Sequence, residues 1–259
     1  MSDYPEAIPM AHFFRNFIAL LALALAMPAL AQEDKVRAAL KKVIPDAPVD
    51  TVRKTPYGNL YEVVIGSDVF YVDDKASFVL MGSLVDLNTK TNVTELRQRE
   101  LQKIDFAALP LDRAFKIVRG NGSRKIAMFA DPNCGYCKRF ERDLLGVNDI
   151  TVYVFLYPIL SPDSVEKAKN VWCSADPGKT WIDWMVRDVP LPTDAKCANP
   201  ANNPLDKNLA FGHEKKITGT PTMFFEDGER IPGAIAIADF EKKLASAKAP
   251  GKSAKTAAN

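Results

Sequence analysis

Two cysteines, Cys134 and Cys137, enclose Gly135 and Tyr136 between a short apolar run, Ile126 to Ala130, and a charged, helix-compatible segment from Lys138 onward. A helix starting at or just after Cys134 leaves backbone N–H groups unpaired there and presents the positive end of its dipole. Both favour an anion. A sulfur at that point loses its proton more readily, and the thiolate is the attacking species in disulfide exchange. Cys137, one turn further on, is close enough to form a ring with Cys134 and resolve a mixed disulfide. The other common use of a C-x-x-C pair is half of a zinc site, which needs a second close pair of ligands. Cys173 and Cys197 are far apart, and only one histidine, His213, lies outside the N-terminal segment. The pair therefore reads as redox-active, with no metal and no other cofactor.

A second segment bears on this chemistry. Gly219-Thr220-Pro221-Thr222 stands immediately before an apolar strand, an awkward place for a proline in a central sheet. A cis bond there would make a bend that brings Thr220 backbone groups beside the cysteines. A trans-proline turn ahead of an edge strand is the alternative, and a C-x-x-C opening the first helix of the same domain favours cis.

The N-terminus indicates a compartment. Phe17 to Leu30 is uncharged, follows Arg15, and ends in Ala29-Leu30-Ala31 before polar Gln32-Glu33-Asp34. That is the pattern of a cleaved export signal, shorter than the roughly 20 apolar residues of a membrane span. Residues 1–31 are thus expected to be a signal peptide, with Met10 a plausible alternative start. In an oxidising compartment Cys173 and Cys197 read as a structural disulfide rather than two free thiols. Closing a loop of about 25 residues contributes roughly 3 to 3.5 kcal/mol in the chain-entropy model. The net charge of +2 gives no case for a nucleic-acid partner.

The elements that must hold these residues fall into two groups. An amphipathic helix at about Lys35 to Val43 precedes three strand-like runs, Leu60 to Ile65, Asp68 to Val72 and Ser77 to Met81, separated by turn residues. Residues 32–90 thus form a small α+β domain, an antiparallel sheet plus helix, whose core is marginal alone. A helix capped by Asn92, with Glu95 three residues later, is expected to run to about Phe106 as a charged connector over 91–108. From 109 to 249 the order is strand (Ile126 to Ala130), helix (Cys137 to Leu145), strand (Ile150 to Leu156), a helical stretch from Ser164 to Val186, helix (Lys207 to Ile217), hairpin and final helix (Asp239 to Ala247). The β-α-β order implies a parallel pair with a right-handed crossover, and the whole describes an α/β thioredoxin-type fold with a helical insertion. Residues 250–259 read as a disordered tail.

Phe129-Ala130-Asp131-Pro132-Asn133-Cys134-Gly135-Tyr136-Cys137-Lys138 resembles the active-site segment of the DsbC/DsbG family of periplasmic thiol:disulfide interchange proteins. Val171-Trp172-Cys173 is similar to that family's structural-disulfide site, and Gly219-Thr220-Pro221 to its cis-proline loop. The resemblance extends over essentially the whole chain after residue 31. The Gly-Tyr dipeptide resembles the DsbC branch, while Ala130-Asp131-Pro132 resembles the DsbG branch.

This resemblance implies a homodimer joined through the N-terminal domains, with two thioredoxin-like domains facing a cleft. It implies misfolded disulfide-containing exported proteins as clients, chaperone activity, and a DsbD-type membrane thiol reductase as electron donor. Cys134 is then the nucleophile and Cys137 the resolving thiol. Gly135 and Tyr136 tune the thiolate and shape the contact surface, and Thr220 and Pro221 dock client backbone. In thioredoxin a buried acid lies six residues before the first cysteine; here that position is Met128. His213 reads as a surface or packing residue rather than a base. Three rival activities remain open from the residues: a DsbA-like oxidase, a DsbG-like reductase of single oxidised cysteines, and a chaperone whose cysteines are secondary.

Overall fold

The structure, a computed structural model, describes residues 31–193 and 203–247. The chain divides into two units between Leu101 and Gln102. The expected leader (apart from Ala31), the expected tail and Cys197 lie outside the described residues.

In the first unit, helix α1 (31–43) buries Val36 and Leu40, one turn apart on one face, against Val52, Tyr61, Val63 and Val72. These belong to an antiparallel meander ordered β1 (Thr51–Lys54), β2 (Tyr61–Ile65), β3 (Asp68–Val72) and β4 (Val79–Leu80). The β2–β3 turn has two residues, and Gly66 at its first position takes φ 63°, a conformation glycine adopts without a Cβ penalty. The opposite face of the sheet buries Val64, Val69 and Tyr71, with Leu84 and Leu101 packed against them.

A short hairpin, β5 (Val85–Asp86) and β6 (Thr91–Asn92), leads into α2 (Val93–Leu101). Asn92 caps this helix through its side-chain oxygen, which accepts from Glu95 N at 3.0 Å. The helix is shorter than expected and is not exposed on all faces. Thr94 is buried, its hydroxyl 2.6 Å from the Tyr71 hydroxyl, and Arg97 pairs with Glu62 at 2.9 Å. Beyond Leu101 the chain turns into two 3₁₀ segments because Asp105 bonds the nearby Ala107 N–H, a local competitor to helix propagation. The third expected strand also shrinks, to two residues. Phe78, Val79, Leu80 and Met81 around it are all exposed, as are Val85 and Leu87.

The second unit holds a five-stranded sheet ordered β11-β10-β8-β9-β7, comprising β7 (Phe115–Arg119), β8 (Arg124–Ala130), β9 (Ile150–Leu156), β10 (Thr222–Phe225) and β11 (Arg230–Pro232). β8 and β9 are parallel, joined by α3 (Gly135–Asp143); the other pairings are antiparallel. β8 alternates with period two between two cores. Ile126 and Met128 face Phe140, Trp181 and Phe240 on one side, while Ala127 and Phe129 face Phe155, Tyr157 and Phe224 on the other. Helix α7 (Ile237–Ser246) closes the first of these layers.

The inserted helical stretch consists of two helices, α4 (Pro162–Trp172) and α5 (Pro177–Arg187). Asp176 caps the second by accepting from Lys179 N at 2.9 Å, and Pro177 occupies a first-turn position where its missing N–H costs nothing. Helix α6 (Leu205–Glu214) lies so close to Tyr157 that a Cβ at Gly212 would overlap the tyrosine ring. Among the described residues no helix is long and apolar enough to cross a membrane.

Candidate functional site: a dithiol at a helix start

Cys134 is the N-cap of α3, in extended conformation (φ −74°, ψ 112°), and its Sγ accepts the N–H of Cys137 at 3.1 Å. The sulfur thus does the work of a capping oxygen, satisfying one of the orphan donors of the first turn. On its other side the thiol donates to the carbonyl oxygen of Thr220 at 3.3 Å, across 86 residues of chain. The Thr220–Pro221 bond is cis. The loop before β10 and the turn after β8 are brought together because Thr222 and Phe129 face each other in the β8–β10 register.

Both cysteines are free thiols. Cys134 retains 3 % exposure and Cys137 none, so only the first offers a path to another molecule. Gly135 and Tyr136 between them are exposed, Tyr136 by 65 %, with the Arg139 guanidinium above its ring. A Cβ at Gly135 or Gly219 would meet no atom within 4 Å, so neither glycine is held by close packing.

The two thiols are driven apart in acidity. The hydrogen bond from the Cys137 side chain is the largest influence lowering Cys134, and the Thr220 side chain with the N–H groups of Cys137 and Tyr136 add to it. Together they overcome desolvation and hold Cys134 at about 6. Burial, then the adjacent Cys134 sulfur, pushes Cys137 well above an ordinary cysteine.

Because the folded value of Cys134 lies below that of an unfolded cysteine, its thiolate persists at neutral pH and is lost only as pH falls through about 6. Alkylation of Cys134 by iodoacetamide is therefore expected to be half-maximal near pH 6 and to fall about tenfold for each further pH unit. A midpoint above pH 8, measured on the reduced protein, would remove the thiolate from the account.

Met128 is fully buried in the same cluster as both cysteines, together with Met223. His213 is exposed in the last turn of α6. Cys173, the C-cap residue of α4, is disulfide-bonded; Cys197, expected as its partner, lies outside the described residues.

Residues that pattern alone did not single out surround the dithiol. Asp131 is fully buried and accepts four hydrogen bonds, and the Trp184 indole N–H donates to Pro132 O at 2.6 Å. Lys138 and Lys167 both sit over the Trp184 ring, at 4.1 and 4.7 Å. Asp131-Pro132-Asn133 ahead of a helix cap is turn chemistry, and that was the available sign that the carboxylate bonds the backbone of its own turn.

Known proteins resemble the chain over both units. The family described as Thioredoxin-like domain matches residues 111–248, and the family described as Disulfide bond isomerase protein N-terminal domain matches residues 27–95. The probable thiol:disulfide interchange protein DsbC of Bordetella pertussis is 46 % identical over 213 residues, 82 % of this chain and 74 % of that one. The thiol:disulfide interchange protein DsbC of Escherichia coli K12 is 23 % identical over 189 residues, 70 % and 75 % of the two chains. The crystal structure of a disulfide interchange protein from Neisseria gonorrhoeae superposes with a TM-score of 0.51 at 35 % identity, covering 55 % of this chain and all of that one. A dithiol at the start of α3, carried on a thioredoxin-like fold behind an isomerase-type N-terminal domain, belongs with these relatives, and the chain is a member of the DsbC family of thiol:disulfide interchange proteins.

Proposed function

We propose that the protein is a disulfide isomerase that reshuffles wrong disulfides in exported proteins. The observation carrying this reading is the contrast within one pair: an acidic, just accessible Cys134 backed by a buried Cys137 whose thiol holds its proton. The Cys134 thiolate attacks a client disulfide, the client S–S bond breaks, and a Cys134–client disulfide forms as one client sulfur leaves as thiolate. A second client thiolate then attacks the client sulfur of that bond and expels Cys134, so sulfurs are re-paired with no net electron transfer. If no client thiol arrives, Cys137 gives up its proton and attacks Cys134. The internal disulfide closes, and the client leaves reduced by two electrons. Gly135 and Tyr136 form the contact surface over the sulfur, and the backbone of Thr220 and Pro221 docks the client strand.

The second outcome leaves the protein oxidised, so a thiol reductase must restore it; a DsbD-type membrane protein is the donor we assign. Export through residues 1–31 delivers the protein to the periplasm. Residues 32–90 act as a dimerisation domain, 91–108 as linker, 109–249 as catalytic domain and 250–259 as tail. The exposed apolar residues Phe78 to Met81, with Val85 and Leu87, support self-association of the first domain, because an edge strand so lined is a template for pairing. A dimer holds two thiolates near one client and raises their effective concentration, which also suits a chaperone role.

The reading is tested by incubating the reduced protein with scrambled ribonuclease and following recovered activity. Recovery without added oxidant is expected. No recovery, together with fast oxidation of reduced ribonuclease by the disulfide form, would replace the isomerase by an oxidase.

A further inference from the structure

The turn that delivers Cys134 to the helix is braced by one buried carboxylate. Asp131 Oδ1 accepts from Asn133 N at 2.7 Å and from the Ser164 hydroxyl at 2.8 Å. Its Oδ2 accepts from Ile159 N at 2.8 Å and Leu160 N at 2.9 Å. The Asp131 carbonyl takes the N–H of Cys134 at 3.0 Å. Asn133 continues the lattice: its Nδ2 donates to Ser161 Oγ, Asp163 Oδ2 and Ser164 Oγ, and its Oδ1 accepts from Lys167 Nζ at 2.8 Å. The turn leaving β8 is thereby tied through the Asp131 and Asn133 side chains to the loop before α4 and to its first turns.

We propose that Asp131 is a positioning residue for thiol exchange, fixing the turn so that Cys134 Sγ stays on the first-turn N–H groups of α3. The inference rests on Cys134 being the nucleophile. A 3.1 Å contact from Cys137 N to sulfur survives only small displacements, and a turn with one bond fewer lets the cap residue drift. An amide in place of the carboxylate keeps the shape but has one acceptor oxygen for two pairs of donors. Its oxygen suits the Ile159 and Leu160 amides, and its NH₂ can donate to the Ser164 hydroxyl, so the bond lost is the one from Asn133 N that shapes the turn. Sulfur that slips off the N–H groups loses thiolate stabilisation without losing the fold.

The test is iodoacetamide alkylation of Cys134 against pH in the full-length reduced protein, for wild type, Asp131→Asn and Ser164→Ala, with thermal unfolding alongside. Asp131→Asn is expected to raise the midpoint by at least about one pH unit, cutting the rate at pH 6 roughly tenfold while the rate at pH 9 stays near wild type. Ser164→Ala, which removes one bond of the four, is expected to shift it in the same direction by less, and decides the matter if Asp131→Asn does not fold. A residue that only stabilises would lower the unfolding temperature and leave the titration of the folded protein unmoved. Folded variants titrating like the wild type overturn the inference. A wild type that titrates like a free cysteine overturns the reading beneath it, and the inference with it.

Discussion

A protein carrying Cys137→Ala is expected to accumulate as a disulfide-linked complex with its clients, whereas Cys134→Ala forms none and loses isomerase activity by about 10³-fold or more. The asymmetry follows from exposure and acidity together. Cys134 is the sulfur a client can reach, and its thiolate is populated at neutral pH. Cys137 has no exposure and sits behind Cys134, so it can act only on the sulfur already linked to a client. Removing it leaves release to client thiols alone, and a client without a well-placed thiol stays attached. Acid-quenched mixtures run on non-reducing gels read this directly. Equal complex formation by both variants would mean that both sulfurs meet clients, contrary to the burial seen here.

The second large effect concerns the core beneath the site. Phe129→Ala is expected to cost about 3 to 5 kcal/mol. Its ring is fully buried and lies parallel to Phe155, with centroids 4.6 Å apart and planes inclined by 4°. It also touches Tyr157, Phe211 and Phe224 at 5.7 to 5.9 Å, so truncation leaves a cavity whose walls come from β9, α6 and β10 and cannot all close in. For a domain of this size the unfolding midpoint should fall by about 10 to 15 °C, visible by calorimetry. Because Phe129 faces Thr222 across the sheet, the same variant should loosen the loop carrying Thr220. A loss under about 1 kcal/mol would show that the aromatic cluster repacks.

Much of the second unit is legible in the sequence. β9 was read to the residue, and β8 and α3 to within two, because a continuous apolar run flanked by turn chemistry leaves little choice. β7 was missed. It is an edge strand in which Lys116 and Val118 face outward, and its two inward residues, Phe115 and Ile117, are too few to show a period. β1 escaped for the same reason, with only Val52 fully buried. The boundary between α4 and α5 was not drawn, although Asp176 followed by Pro177 marks a helix start. The proximity of Cys134 to Thr220 was anticipated from two motifs, but the support under it was not. Asp131, Ser164 and Trp184 are separated in sequence and act only through contacts that tertiary packing creates.

The contact between Cys134 and the Thr220 carbonyl spans 86 residues, and it has a consequence for the order in which the molecule comes into being. A chain emerging N-terminus first exposes its cysteines long before the segment holding Thr220 follows. Until β10 has joined β8, Cys134 lacks that carbonyl and the Thr220 side chain beside it, while the N–H groups of α3 are already local to the sulfur. One of the groups that favour the thiolate, the Thr220 side chain, therefore arrives late, with the closing of the sheet. An unfinished copy is to that extent less equipped to attack its own Cys173 or its neighbours, and the site is complete only once the sheet has closed.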